Sequence, residues 1–181
     1  KKEFDYETEP HDYTIDVNIT SHSDGNGSVV VTVPVDYDGD VVVVVNGTGY
    51  PVDISGGKGN ITIPMIPNQP VLVNFENSTL YANTSWTGEI PLIDDYDFNV
   101  TVNPPVDGFS VVNVTVPKDY DGNVTVIVNG TVYPVNIVDG VGNVTVPAIP
   151  NQEIIIKMEN STKYDDKSIS DVIPLIDDYD F

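Results

Sequence analysis

The chain has 181 residues, with 28 acidic side chains against seven lysines and no arginine, a formal charge of −21, and no cysteine. Such a surface repels nucleic acid and anionic lipid and attracts cations, and the missing thiols exclude disulfides, thiol catalysis and thiolate metal ligation. Aspartate outnumbers glutamate 21 to 7, a bias that suits turns and hard-cation ligation better than helix faces, and no stretch reads as a signal peptide or a membrane span.

Residues 1–13 are acidic and tyrosine-bearing and read as a linker or tail. From residue 14 the chain is rich in Val, Ile, Thr and Tyr, alternates with period two, and is punctuated by Gly, Pro, Asn and Asp. Seven strands are predicted in order, at 14–20, 28–33, 40–46, 48–54, 59–63, 70–76 and 86–93. Asn46-Gly47 between the third and fourth is a hairpin signal, because a type I′ turn needs positive φ twice. Pro64, Pro67 and Pro70 mark a crossing loop that a central strand would not contain.

The chain then begins again. Residues 16–98 lie over 99–181 with a fixed shift of 83 and no gap. Val33-Pro34-Val35-Asp36-Tyr37-Asp38-Gly39 falls on Val116-Pro117-Lys118-Asp119-Tyr120-Asp121-Gly122, and Ile90 to Phe98 falls on the identical Ile173 to Phe181. A period of this size is a small domain rather than a solenoid rung. The expected domains are 14–95 and 96–181, with the sequence stopping at a repeat boundary as a piece of a longer array would. The repeat also resolves strand faces. Val41 to Val45 is an unbroken apolar run, but its counterpart Val124-Thr125-Val126-Ile127-Val128 points Val41, Val43 and Val45 inward. Val29, Val31 and Val33 form another core face by the same logic. Val44 and Ile127 are apolar on the nominally outer face, and the sequence alone does not explain them. Trp86 pairs with Ile169 and reads as packing. Seven short strands in such a length predict an all-β immunoglobulin-like sandwich, twice in tandem, with a small barrel as the competitor.

Asn-X-Ser/Thr occurs at Asn18, Asn26, Asn46, Asn60, Asn77, Asn83, Asn99, Asn113, Asn123, Asn129, Asn143 and Asn160. Composition alone would give about two or three such sequons, so the twelve are candidate N-glycosylation sites. An outward strand face can write Asn-Val-Thr by itself, yet Thr-Val-Thr would make the better strand.

The acidic loops are the second candidate. Asp119 and Asp121 lie in the loop between the second and third strands of the second repeat, at the end where Asp94, Asp95 and Asp97 lead the chain in. Asp165 and Asp166 of the last hairpin loop are expected at the same end. Asp36, Asp38 and Asp40, with Asp12, form the corresponding set in the first repeat. Converging carboxylates repel unless a cation intervenes, and Ca²⁺ accepts six to eight oxygen ligands. The sequence therefore raises Ca²⁺ at the repeat junction, against solvated turn aspartates as the plainer reading. The string lacks the length and terminal Glu of an EF-hand loop.

Gly122 to Pro147, with its Gly-Asn-Val-Thr, Val-Asn-Gly-Thr and Gly-Asn-Val-Thr-Val-Pro segments, and the matching Asp40 to Pro64, resembles the Ig-like repeats of adhesin-like surface proteins of methanogenic archaea. These are relatives of the bacterial Ig-like (Big) domains. The resemblance implies a long extracellular cell-surface protein whose partners are flanking repeats of its own chain and other cell surfaces, cell-wall or glycan ligands. Membrane insertion by this segment and nucleic-acid binding are not expected. Enzymatic options are thin: His11 and His22, both expected exposed, are Asp94 and Pro105 in the second repeat, so no Ser/His/Asp arrangement can be built twice. An isopeptide cross-link would need a buried lysine, whereas Lys58 sits in a glycine turn and Lys157 on an outer face. The expected function is a non-enzymatic stalk or adhesion module, and the alternative is a calcium-dependent carbohydrate- or partner-binding module. Tyr37, Tyr81, Tyr120 and Tyr164 discriminate: an open aromatic patch favours the alternative, tyrosines pinned into loops favour the stalk.

Overall fold

The computed structural model describes residues 13–177 and 179. The expected tail, apart from Tyr13, and the candidate ligand Asp12 lie outside these, as does His11. The described residues form fourteen strands and no helix, in two compact units that divide between Ile93 and Asp94, two residues before the boundary read from the repeat.

In the first unit β1 (Asp16–Ser21), β2 (Asn26–Thr32) and β5 (Lys58–Pro64) form a three-stranded sheet in the order β1-β2-β5. Its partner sheet is β4-β3-β6-β7, from β3 (Asp40–Val45), β4 (Thr48–Pro51), β6 (Pro70–Glu76) and β7 (Thr84–Glu89). The second unit repeats this with β8 (Asn99–Val102), β9 (Phe109–Thr115) and β12 (Val141–Pro147) in one sheet. The other runs β11-β10-β13-β14, from β10 (Asn123–Val128), β11 (Thr131–Val135), β13 (Glu153–Glu159) and β14 (Lys167–Val172). All pairings are antiparallel. The fold of each unit is an immunoglobulin-like β-sandwich. Its fourth strand pairs with the third, whereas in the immunoglobulin constant arrangement the fourth joins the sheet of the first two.

Period-two alternation builds the core. Val29, Val31 and Ile63 face Val43, Val73 and Phe75 from the opposite sheet, each no more than 2% exposed. Burying such a side chain contributes about 1.5–3 kcal/mol relative to leaving it in water. Val41, Val43 and Val45 point inward as the repeat implied, and Trp86 packs against the core from β7. Val44 has an explanation: on the outer face it lies opposite Leu72, and Ile127 lies opposite Ile155. Each four-stranded sheet therefore carries an aliphatic cross-strand pair outside, which supports the ladder.

Backbone chemistry sets the ends. Asn46 and Gly47 have φ of 51° and 78°, and Asn129 and Gly130 have 49° and 79°, as a type I′ hairpin requires. Pro64 and Pro147 close β5 and β12 instead of lying beyond them, which is allowed because both are sheet-edge strands. The last strand of the first unit starts at Thr84 and stops at Glu89, earlier than predicted, because Pro91 cannot donate to a ladder.

Candidate functional site

One end of each unit is closed by three tyrosines and the aspartates of the β2–β3 or β9–β10 loop. In the first unit Tyr13 comes from the segment leading into β1, Tyr37 from the β2–β3 loop and Tyr81 from the β6–β7 loop. Ring centroids are 4.7 Å apart for Tyr13–Tyr81, 6.0 Å for Tyr13–Tyr37 and 6.1 Å for Tyr37–Tyr81. In the second unit Tyr96, Tyr120 and Tyr164 repeat the triangle at 4.9, 6.3 and 5.9 Å. Offset and tilted contacts of this kind are favoured by the ring quadrupoles. The second triangle is buried, with Tyr96 at 4%, Tyr120 at 8% and Tyr164 at 6% exposure.

Each carboxylate of these loops has a partner across the end of the sandwich. Asp38 accepts from the Ser78 hydroxyl at 2.7 Å, from the Thr79 amide at 2.9 Å and from the Thr79 hydroxyl. Asp121 repeats this with the Ser161 hydroxyl at 2.6 Å, the Thr162 amide at 3.0 Å and the Thr162 hydroxyl. Asp36 accepts from the Tyr81 hydroxyl and Asp40 from the Asn77 side-chain amide at 2.9 Å. Asp119 accepts from the Tyr164 hydroxyl at 2.6 Å and from the Lys163 ammonium at 2.8 Å. The latter is an exposed ion pair and contributes little by itself.

These bonds set the acidities. Hydroxyl and amide donors from Thr79 and Ser78 hold Asp38 down at about 2, and the same donors from Ser161 and Thr162 lower Asp121. Lys163 and Tyr164 lower Asp119. Burial raises Tyr37 and Tyr96 to about 12 and pushes Tyr120 and Tyr164 upward as well.

The loops close tightly because Gly39 and Gly122 have no side chain. A Cβ at Gly39 would lie 2.5 Å from the Glu76 carbonyl oxygen and 2.8 Å from the Ser78 nitrogen. At Gly122 the same atoms belong to Glu159 and Ser161, at the same distances. Tyr37 also donates its hydroxyl to the Asp40 carbonyl at 2.9 Å. Its counterpart Tyr120 is equally buried, but its hydroxyl has no partner.

The expected convergence of Asp119, Asp121 and Asp165 on one end is present, since Tyr164 reaches Asp119 and Tyr96 reaches the Asp165 carbonyl. Their sharing of a cation is not what the geometry displays. Asp36, Asp38, Asp40, Asp119 and Asp121 turn their oxygens toward Ser, Thr, Tyr, Asn and Lys donors. Asp94 contributes a backbone carbonyl to Lys167 at 2.6 Å, and Asp95 and Asp97 are exposed. Among the described residues no three acidic or histidine side chains are grouped to hold a metal ion. Asp165 and Asp166 join the hydrogen bonding through the Asp165 carbonyl and the Asp166 carboxylate, which takes the Asn160 amide. Sequence reasoning missed the donors, Ser78-Thr79 and Ser161-Thr162, although both copies carry them unchanged about 40 residues after the aspartate.

His22, expected exposed, is half-buried and bonded to the Ser28 hydroxyl at 3.2 Å. The sequon asparagines Asn18, Asn46, Asn60, Asn77, Asn83, Asn99, Asn123, Asn129, Asn143 and Asn160 are exposed, while Asn26 and Asn113, on the central strands β2 and β9, are half-buried.

No family model matches the chain, and no curated protein matches it. Among solved structures, a cytokine receptor complex is similar over 88% of this chain and 96% of its own, at 12% identity and a TM-score of 0.51. Bovine butyrophilin aligns over 88% of this chain and 99% of its own at 10% identity, with a TM-score of 0.44. The chicken CNTN1 FN1-FN3 domains align over 88% and 63% at 12% identity, with a TM-score of 0.33. The last two superpose too loosely to bear on the question. At such identities the likeness to the receptor complex speaks for the immunoglobulin-like β-sandwich and not for a ligand.

Proposed function

We propose that the chain serves as a non-enzymatic stalk or adhesion segment of an extracellular, adhesin-like cell-surface protein, in which a repeated immunoglobulin-like module supplies length. The observation that carries this reading is what each unit does with its loops. The tyrosines that could have formed an open sugar platform are packed into a triangle, and the aspartates beside them are taken up by loop donors. The Asp–Ser–Thr and Asp–Tyr bonds occur at equivalent positions in both units, which is how a structural closure behaves.

A hydrolase would instead need a free carboxylate pair across a cleft. The groove beside the first cluster, of about 410 Å³, is bordered by Asp40 and Asp53, but in the equivalent groove of about 490 Å³ these positions are Asn123 and Asn136. Both grooves do keep one carboxylate pair, Asp38 with Glu76 and Asp121 with Glu159, but in each pair the aspartate is taken up by Ser and Thr donors. The chain between the modules is short: the Pro91 carbonyl accepts from Ser21 of the first unit, and the Asp94 carbonyl accepts from Lys167 of the second, leaving Leu92 and Ile93 between.

Force extension of single molecules held at both termini tests the proposal. Two separate unfolding steps of equal length are expected, each releasing roughly 280 Å of chain before the folded length is subtracted. The same forces are expected in Ca²⁺ and in chelator. One merged step, or calcium-dependent capture of a glycan by the intact chain, would overturn the stalk reading.

A further inference from the structure

The sequons are not spread evenly over the sandwich. Of the twelve, six lie in strands of the three-stranded sheets: Asn18, Asn26 and Asn60 in the first unit, and Asn99, Asn113 and Asn143 in the second. The four-stranded sheets contain more strand residues, yet hold only Asn123, the first residue of β10. If Asn-X-Thr were merely what an outward β face writes, both sheets would carry it alike.

The four-stranded sheets write their outer faces differently, with Val42, Val44 and Leu72 or Thr125, Ile127 and Ile155. On the three-stranded sheet Asn18 and Asn60 flank Val30 in one cross-strand row, and Thr20, Ser28 and Thr62, the hydroxyl residues of the sequons, form the next row. The exposed sequons of these sheets, Asn18, Asn60, Asn99 and Asn143, all sit on edge strands: β1, β5, β8 and β12.

A second observation separates these asparagines from those of the loops. The Asn77 side-chain amide donates to Asp40, and the Asn83 side-chain oxygen accepts from the Asn77 backbone N–H, so these two loop sequons have work in the fold. The side chains of Asn18, Asn60, Asn99 and Asn143 enter no hydrogen bond or ion pair among the described residues. Asparagine is a poor strand residue, and here it is exposed and idle, at the same position of both units for Asn60 and Asn143.

We infer that Asn18, Asn60, Asn99 and Asn143 are N-glycosylation sites, and that their glycans clothe both edges of the three-stranded sheet of each unit. An edge strand offers unpaired backbone groups to any passing chain. A bulky glycan on each edge blocks that pairing. One edge of each four-stranded sheet is blunted by other means, since β4 has four residues and ends at Pro51, and β11 contains Pro134.

The inference shares with the proposed function only the extracellular location. Two measurements test it. First, Asn→Thr at positions 18, 60, 99 and 143 of bacterially made, sugar-free protein is expected to leave the thermal midpoint unchanged or raise it. A fall would assign the asparagines to the fold and overturn the inference. Second, the full chain secreted from yeast is treated with peptide-N-glycosidase in heavy-oxygen water and mapped by mass spectrometry. Labelled aspartate is expected at all four positions and is expected to be lost when Thr20, Thr62, Thr101 or Thr145 is replaced by alanine. Unlabelled asparagine at these positions overturns the inference, even in a chain that unfolds in two equal force steps and so keeps the stalk reading intact.

Discussion

The Tyr96 hydroxyl donates to the carbonyl oxygen of Asp165 at 2.7 Å across 69 residues of chain, and Tyr13 reaches Ala82 at 3.0 Å across the same separation. The segment leading into each sandwich is thereby tied to that sandwich's last hairpin loop. Tyr96→Phe keeps the ring against Tyr120 and Tyr164 and deletes the bond, an expected loss of about 1 kcal/mol. Tyr96→Ala removes the ring too, and the loss rises to about 3–5 kcal/mol. Urea unfolding separates the two, through a lower midpoint at unchanged slope.

Gly39 and Gly122 hold ordinary negative φ, so their need for glycine is steric rather than conformational. A methyl group at Gly122 meets backbone atoms of Glu159 and Ser161, which cannot rotate aside as a side-chain tip would. Gly39→Ala and Gly122→Ala are each expected to cost about 1–3 kcal/mol by overpacking. Amide exchange in the β6–β7 or β13–β14 loop should quicken, because Ser78 and Ser161 are displaced from their aspartates. Unchanged exchange would show that the loops close without the contact.

Acid should loosen the closures in a defined window. Asp38, Asp119 and Asp121 are held below their ordinary pKa in the folded chain. Their contribution is therefore complete above the unfolded value of about 4 and is lost as pH falls through the folded values, near 2 for Asp38. Thermal midpoints should fall between those limits. The slope should be shallower in Asp38→Asn and Asp121→Asn, which keep one acceptor oxygen but no longer titrate.

Much of this architecture is legible in the residues. The alternation of Val29-Val30-Val31 against the repeat partner Asn113 identified the core face, and Asn46-Gly47 located its hairpin, because both depend on local steric rules. The fate of the aspartates was not legible. Asp38 and Ser78 are 40 residues apart, and only the β3–β6 pairing brings them together, so the Asp-Tyr-Asp-Gly string by itself does not disclose its hydrogen-bond donors. The placement of the fourth strand was likewise hidden, since a short Thr-Gly-Tyr-Pro segment can pair with either sheet edge.

Alkali should act through the tyrosines with the opposite sense. Folded values raised to about 12 for Tyr37 and Tyr96 mean that the native state holds its phenolic protons more tightly than the unfolded chain, which releases them near 10. The stabilisation is full below pH ~10 and disappears as pH rises through the folded value. Phenolate absorbance should therefore appear late and together with loss of β-sheet circular dichroism. Smooth ionisation of these rings with the sheet signal intact would show that the triangles are open to solvent.

Among the interior differences between the two units, one coupled pair predicts a measurable interaction energy. A Cβ at Gly27 would overlap the Met65 sulfur, so the thioether occupies the space beside the glycine. In the second unit the pair is Ser110 and Ala148: the strand gains a side chain and the loop loses one. The groove beside this pair widens from about 160 to about 380 Å³. Ser110 is 1% exposed and its hydroxyl has no partner, an arrangement that costs free energy. Ala148→Met alone must force the thioether against Ser110, and a loss of about 1–3 kcal/mol is expected. With Ser110→Gly in the same chain, the packing of the first unit is restored and the unpartnered hydroxyl is gone. A double-mutant cycle by chemical unfolding should then show favourable coupling of at least about 1 kcal/mol. Simple additivity would mean that the two positions do not share the space.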